Sequence, residues 1–219
     1  MDKIIEMVQQ WPYLETLPDR IGRFVLSREM RVEGTRYCVF SYHYQEKYRS
    51  FYVVYDKATK DFMARVTVGL TEYCDVNTIA VNLENLEKLL SGNMEKTLLK
   101  LSDFNVTSLC SICREKQIVE WEYGHSLPEN VAGFELYIRP AEPVRMLNGS
   151  YAVLDYSNFD TESNLIVYYN IFRDEFFGEI RIRRTPESTT RFDAKTLPEL
   201  EEQLQKHLIP VLENMNSGV

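Results

Sequence analysis

The sequence predicts an α+β protein, a tandem duplication of one α-β-α unit in which each copy forms an antiparallel sheet of four or five strands with helices packed on one face. Three observations predict it. A phrase from the first half returns in the second, each half alternates short apolar and aromatic runs with turn residues, and each half closes on a leucine stripe at helical spacing.

The repeated phrase is WPYLETLPDRIGRFVL, residues 11–26, which returns as WEYGHSLPENVAGFEL, residues 121–136. Trp11/Trp121, Tyr13/Tyr123, Leu17/Leu127, Pro18/Pro128, Phe24/Phe134 and Leu26/Leu136 are identical at an offset of 110. Further on, residues 37–90 align without a gap on 151–204 at an offset of 114, with 12 of 54 pairs identical. Average composition supplies roughly three such matches by chance. The change of offset implies a four-residue insertion between Leu136 and Gly149, most simply at RPAEPV (139–144), where two prolines interrupt strand pairing. A period near 110 residues is far longer than solenoid or propeller repeats and equals a small domain. Copy one is expected at 1–105 and copy two at 106–219, joined by the short segment SDFNVTS (102–108).

Within copy one, Ile4, Ile5 and Val8 share a helical face behind Asp2, a candidate cap, which predicts a helix over 3–11 and its equivalent over 109–121. Leu-Pro then turns the chain into a strand at 22–29, or 133–139 in copy two. Strands follow at Tyr37–Tyr44, Phe51–Tyr55 and Phe62–Val68, matched by Tyr151–Tyr156, Leu165–Asn170 and Phe176–Arg183. DKATKD (56–61) is polar and short, as a hairpin turn should be. Gly34 and Gly149 precede the second strand of each copy. The closing helices carry Leu83, Leu86, Leu90 and Met94, and Leu197, Leu200, Leu204 and Leu208. Thr196 with Glu199 forms a capping box. Ser91-Gly92 should weaken the first helix, and Pro210 should kink the second.

Charge narrows the function classes. A net charge of −8 and a pI near 5.1 oppose the basic surplus that nucleic acid or an anionic membrane surface requires. The one basic cluster, Arg181-Ile182-Arg183-Arg184, reads as a strand with a solvated face. MDKIIEMVQQ has no apolar signal core, and no apolar run approaches the roughly 18 residues of a membrane span. Four Cys are too few for a disulfide framework, so a reducing cytoplasm is expected and the sequons at Asn105 and Asn148 read as chance matches.

The copies also test chemistry against each other. Reactive residues do not recur: His43 faces Ser157, Cys38 faces Ala152, and Cys74 faces Ser188. What recurs is apolar or aromatic, with Leu-Pro, Thr71/Thr185 and Glu87/Glu201. Cys110-Ser111-Ile112-Cys113 is the sharpest motif: a redox pair, half of a zinc site completed by Cys38, Cys74 or His125, or two structural cysteines. No phosphate-binding loop or nucleophile elbow occurs, and Asp155, Asp160, Asp174 and Glu175 read as solvated turn carboxylates. Of 14 tyrosines, Tyr44, Tyr48 and Tyr52 lack Tyr counterparts in copy two and are candidates for a partner-binding surface.

The expectation is a non-enzymatic cytoplasmic protein-binding module, an adaptor, secretion-type chaperone or neutralising partner of another protein, arranged as an internal pseudo-dimer without metal or cofactor. The alternatives are a small-molecule-binding domain with a pocket between sheet and helix, and a thiol-dependent enzyme using Cys110 and Cys113.

Overall fold

Ile4, Ile5 and Val8 wind into α1 (Asp2–Gln9) in the computed structural model, which describes residues 1–146 and 149–217. The cap position belongs to Met1 and carries no side-chain bond, so Asp2 is not the cap but a first-turn acid facing the positive helix end. One further turn, α2 (Tyr13–Thr16), ends at Leu17 with extended φ −68 and ψ 123, the conformation that the following Pro18 demands.

Seven strands follow: β1 (Arg20–Ile21), β2 (Phe24–Ser27), β3 (Arg31–Glu33), β4 (Arg36–Tyr44), β5 (Arg49–Asp56), β6 (Asp61–Val68) and β7 (Thr71–Ala80). They form one antiparallel sheet in the order β1-β2-β4-β5-β6-β7, with β3 also pairing β4, and α3 (Leu83–Ser102) closes the segment. The later half runs α4 (Ser111–Glu115), α5 (Glu122–His125), β8 (Asn130–Val131), β9 (Phe134–Ile138), β10 (Val144–Arg145), β11 (Ser150–Asn158), β12 (Ser163–Asn170), β13 (Glu175–Ile182), β14 (Thr185–Ala194) and α6 (Leu197–Ser217). Its sheet has the order β8-β9-β11-β12-β13-β14, with β10 on β11, again antiparallel throughout. The class is therefore α+β, with two seven-stranded sheets among the described residues. Each sheet exceeds the expected four or five strands because two- and three-residue pairings, and the polar outer strands β7 and β14, carry no apolar alternation to read. The chain divides into two compact units, Met1–Asp103 and Phe104–Val219. The Asn148 sequon lies outside the described residues.

The irregularities fall at matching positions. A bulge interrupts β4–β5 between Cys38 and Phe40, and another interrupts β11–β12 between Ala152 and Leu154. Register also shifts between Phe62 and Ala64 and between Phe176 and Gly178. Left-handed backbone occurs at Tyr48 and Glu162, Lys60 and Asp174, and Gly69 and Arg183, each pair 114 residues apart. The repeated residues take up the same bonds. Trp11 Nε1 donates to Glu87 Oε2 at 3.1 Å, and Trp121 Nε1 to Glu201 Oε2 at 3.3 Å. The hydroxyls of Tyr42 and Tyr156 each donate, at 2.7 Å, to the carbonyls of Pro18 and Pro128.

Helix α3 runs through Ser91-Gly92 unbroken. Gly costs about 1 kcal/mol in a helix interior, whereas Leu83, Leu86, Leu90, Met94, Leu98 and Leu101 are all buried, at roughly 1.5–3 kcal/mol each. Packing wins by a wide margin. Helix α6 likewise continues past Pro210, which sits on an exposed position while Leu200, Leu204, Leu208, Val211, Leu212 and Met215 join the buried cluster of the second unit. Its start departs slightly from a capping box: Thr196 Oγ1 accepts from the Glu199 N–H at 3.3 Å, but Glu199 reaches back to the Lys195 N–H at 2.7 Å. The basic cluster is also not a solvated strand face. Arg181 pairs with Glu179 and is largely buried, and Arg183 and Arg184 form the β13–β14 turn. No helix among the described residues is long and apolar enough to cross a membrane.

Candidate functional site

The second unit opens on a segment that the sequence marks by its two cysteines. Asn105 Oδ1 accepts from the Thr107 N–H at 2.9 Å and its hydroxyl at 2.7 Å, closing a 3-10 turn over Val106–Ser108. The chain then buries Leu109, Cys113 and Ile118 in the cluster that holds Trp121, Tyr151, Tyr156 and Tyr169. Burial of these apolar residues fixes α4, a five-residue helix too short to persist alone. Cys110 is left at its entrance, partly exposed, and Cys113 one turn on is 2% exposed.

The geometry brings the two thiols together at a Sγ–Sγ distance of 3.2 Å, both reduced. The Cys110 N–H donates to the Tyr151 hydroxyl at 3.2 Å, and the Arg145 guanidinium lies 6.0 Å from the Tyr151 ring. The thiols have opposite leanings. Partial burial raises the Cys110 pKa, but hydrogen bonds from the Cys113 backbone and thiol, the Tyr151 hydroxyl and the Arg145 charge together bring it below its ordinary value. Burial, then the Cys110 hydrogen bond and charge, push the Cys113 thiol far up. Cys110 is thus the more accessible and the more acidic of the two sulfurs. In the same unit, Tyr169 donates to Asp174 at 2.6 Å, and Lys116 Nζ sits 2.8 Å from the same carboxylate.

A zinc site needs further ligands. Among the described residues no three His, Cys, Asp or Glu side chains gather to hold an ion. Cys38 is buried in β4, and Cys74 of β7 has its sulfur 3.8 Å from that of Met63 in β6, so both lie within the first unit's sheet.

The three candidate tyrosines are not brought together. Tyr44 meets Phe24 edge-on at 5.9 Å. Tyr52, opposite Ser41, is on the other face of the sheet and donates to Glu72, on which Arg36 and Arg65 also converge. Burial, then the Glu72 bond, raises the Tyr52 hydroxyl to about 12. Tyr48 is 52% exposed in left-handed backbone behind a 3-10 turn.

One residue read as solvated is the reverse. Asp155 is 0% exposed in mid-β11, accepting from the Ser157 hydroxyl at 2.7 Å and from Asn164 Nδ2 at 3.2 and 3.1 Å. Its counterparts in the first unit form a second polar triplet: His43 bonds Ser41 at 2.8 Å and Ser50 at 3.0 Å. The signal is present in FSYH and LDYS, where a polar residue interrupts an apolar strand at the equivalent position of both units. Asp174 and Glu175 hold Lys116 and Lys195, not each other. A separate open cleft of about 620 Å³ lies where β13 and β14 part, lined by Asn170, Arg173, Phe177, Gly178, Asp193 and Lys195 among others.

Comparison of the chain with known protein families, with curated proteins and with solved structures finds no match.

Proposed function

We propose that this chain is a non-enzymatic, cytoplasmic protein-binding module, an adaptor, secretion-type chaperone or neutralising partner, assembled by head-to-tail duplication of one α+β unit with its helices against one face of its sheet. The matched bulges, left-handed residues and Trp–Glu bonds support the duplication. The binding reading rests on one observation, the outer strand β7. It ends the strand order of its sheet and presents Val76 at 65%, Ile79 at 42% and, just beyond, Val81 at 71% exposure. Between Thr71 and Val81 there is no Lys, Arg or Pro to oppose pairing; the strand's own interruptions are the buried Asp75 and the bulge that follows it, which is where Val76 and Ile79 are exposed. The corresponding strand β14 carries both Pro186 and Arg191. An extended client segment adding to β7 would cover the three apolar side chains and gain backbone hydrogen bonds.

The test compares wild-type protein with a Val76→Lys, Ile79→Lys variant in affinity capture from the native cell. A stoichiometric protein recovered by the wild type and lost by the variant, with amide-exchange protection over 71–81 in the complex, is expected. Recovery of no such protein, or equal recovery by both, sinks the reading.

The cleft favours a second reading, a small-molecule site between sheet and helix. Its volume of about 620 Å³ falls in the usual range for ligand pockets. A metabolite that raises the melting temperature of the wild type but not of an Arg173→Ala variant would establish it.

A further inference from the structure

We propose that Cys110 and Cys113 form a reversible dithiol–disulfide couple that exchanges with low-molecular-weight disulfides, Cys110 attacking and Cys113 resolving. The inference is independent of the protein-binding reading, because it uses neither β7 nor a partner.

Distance carries it first. The sulfurs are 3.2 Å apart, and a disulfide needs about 2.05 Å, so a side-chain movement of roughly 1 Å closes the bond. Access carries it second. An incoming disulfide meets Cys110, which is partly exposed, and cannot meet Cys113, which is 2% exposed within the second unit's core. Order of attack follows from burial alone. Chemistry then agrees, since the exposed sulfur is the one whose thiolate is favoured. The other two cysteines lack this arrangement: burial raises both thiols, and neither has a second sulfhydryl at hand. Tyr151 anchors the nucleophile by accepting from the Cys110 backbone.

The exchange balances with glutathione disulfide as oxidant. The Cys110 thiolate attacks one glutathione sulfur, a mixed disulfide forms, and one glutathione leaves as thiolate. Cys113 gives up its proton and attacks Cys110 Sγ, closing the protein disulfide and expelling the second glutathione thiolate. The protein loses two electrons and two protons, and the glutathione disulfide gains the electrons.

The test equilibrates the full chain in glutathione buffers from fully reduced to fully oxidised, quenches with acid, alkylates the remaining thiols and maps them by mass spectrometry. Cys110 and Cys113 should disappear together into one intramolecular disulfide that dithiothreitol reverses, while Cys38 and Cys74 stay reduced. Cys113→Ser should stop at glutathione on Cys110, and Cys110→Ser should leave Cys113 unmodified. In the native wild type at neutral pH, iodoacetamide should label Cys110 several-fold faster than Cys74, because burial raises the Cys74 thiol while the hydrogen bonds around Cys110 favour its thiolate. The proposal is overturned if both thiols survive the fully oxidised buffer, if wild-type protein accumulates mixed disulfide without closure, or if glutathione lands first on Cys74. Should either Ser variant fail to fold by near-ultraviolet dichroism, the wild-type titration and labelling rates decide alone.

Discussion

At Asp155 a carboxyl is enclosed completely, and a hydroxyl and an amide are its hydrogen-bond donors. Burial raises its pKa from 3.8 to about 7, against the pull of Ser157, Asn164 and Arg181. The folded state thus holds the proton more tightly than the unfolded chain. Its stabilising contribution is complete below about pH 4 and is lost as pH rises through about 7. A gap of about three pH units corresponds to roughly 4 kcal/mol as an upper bound. Asp155→Asn keeps the size of the group and removes the titration. Unfolding free energies from urea titrations between about pH 4 and pH 8 should therefore fall more steeply for wild type than for the variant, by a few kcal/mol over the range. Parallel profiles would show that Asp155 does not titrate there.

Among the elements, the β13–β14 hairpin holds the clearest local conflict between residue and backbone. Arg183 and Arg184 both have positive φ, 48 and 64, between the paired residues Ile182 and Thr185. Left-handed backbone costs an L-residue about 1–2 kcal/mol, and the matching turn of the first unit has Gly69 at the position of Arg183. The turn persists because the Arg183 N–H donates to Ser163 Oγ at 3.1 Å and Arg184 pairs with Glu162. Arg183→Gly keeps both of those partners and relieves one strained residue. It should raise the urea midpoint by the equivalent of roughly 0.5–1 kcal/mol with an unchanged denaturant slope; a lower midpoint would contradict the strain argument. Legibility in the sequence follows the same division. Strands β4–β6 and β11–β13 and the leucine faces of α3 and α6 announce themselves because burial selects their residues at fixed periods. Strands β7 and β14 do not, since an exposed outer strand tolerates TEYCDVNTIA or TPESTTRFDA without pattern. At the candidate site the letters of Cys110 and Cys113 are visible but their meaning is not. The 3.2 Å approach depends on Tyr151, 41 residues away, and on a core that leaves one sulfur out and takes the other in.

At the scale of the whole chain, the two units share geometry at the positions where they differ in chemistry. Ser41, His43 and Ser50 stand at the register positions that Asp155, Ser157 and Asn164 occupy in the other sheet, each pair 114 residues apart. One triplet is a histidine held between two hydroxyls; the other is an acid held by a hydroxyl and an amide. If both sheets derive from one unit, the second triplet should be transplantable as a set into the first and not piecemeal. Ser41→Asp alone places a carboxyl at a site only 2% exposed, beside a histidine and a serine arranged for something else, and should cost on the order of 3–5 kcal/mol at neutral pH. Adding His43→Ser and Ser50→Asn supplies the donors that Asp155 enjoys, so the triple variant should recover at least about 1–2 kcal/mol of that loss. The deficit of the single variant should also shrink toward pH 4, where the new carboxyl takes up a proton. Urea unfolding of the wild type, the single, the His43→Ser, Ser50→Asn double and the triple variant measures this coupling directly. Additive costs across the four proteins would mean that the two triplets sit in different surroundings despite their matching register, and that the likeness of the units stops at the backbone.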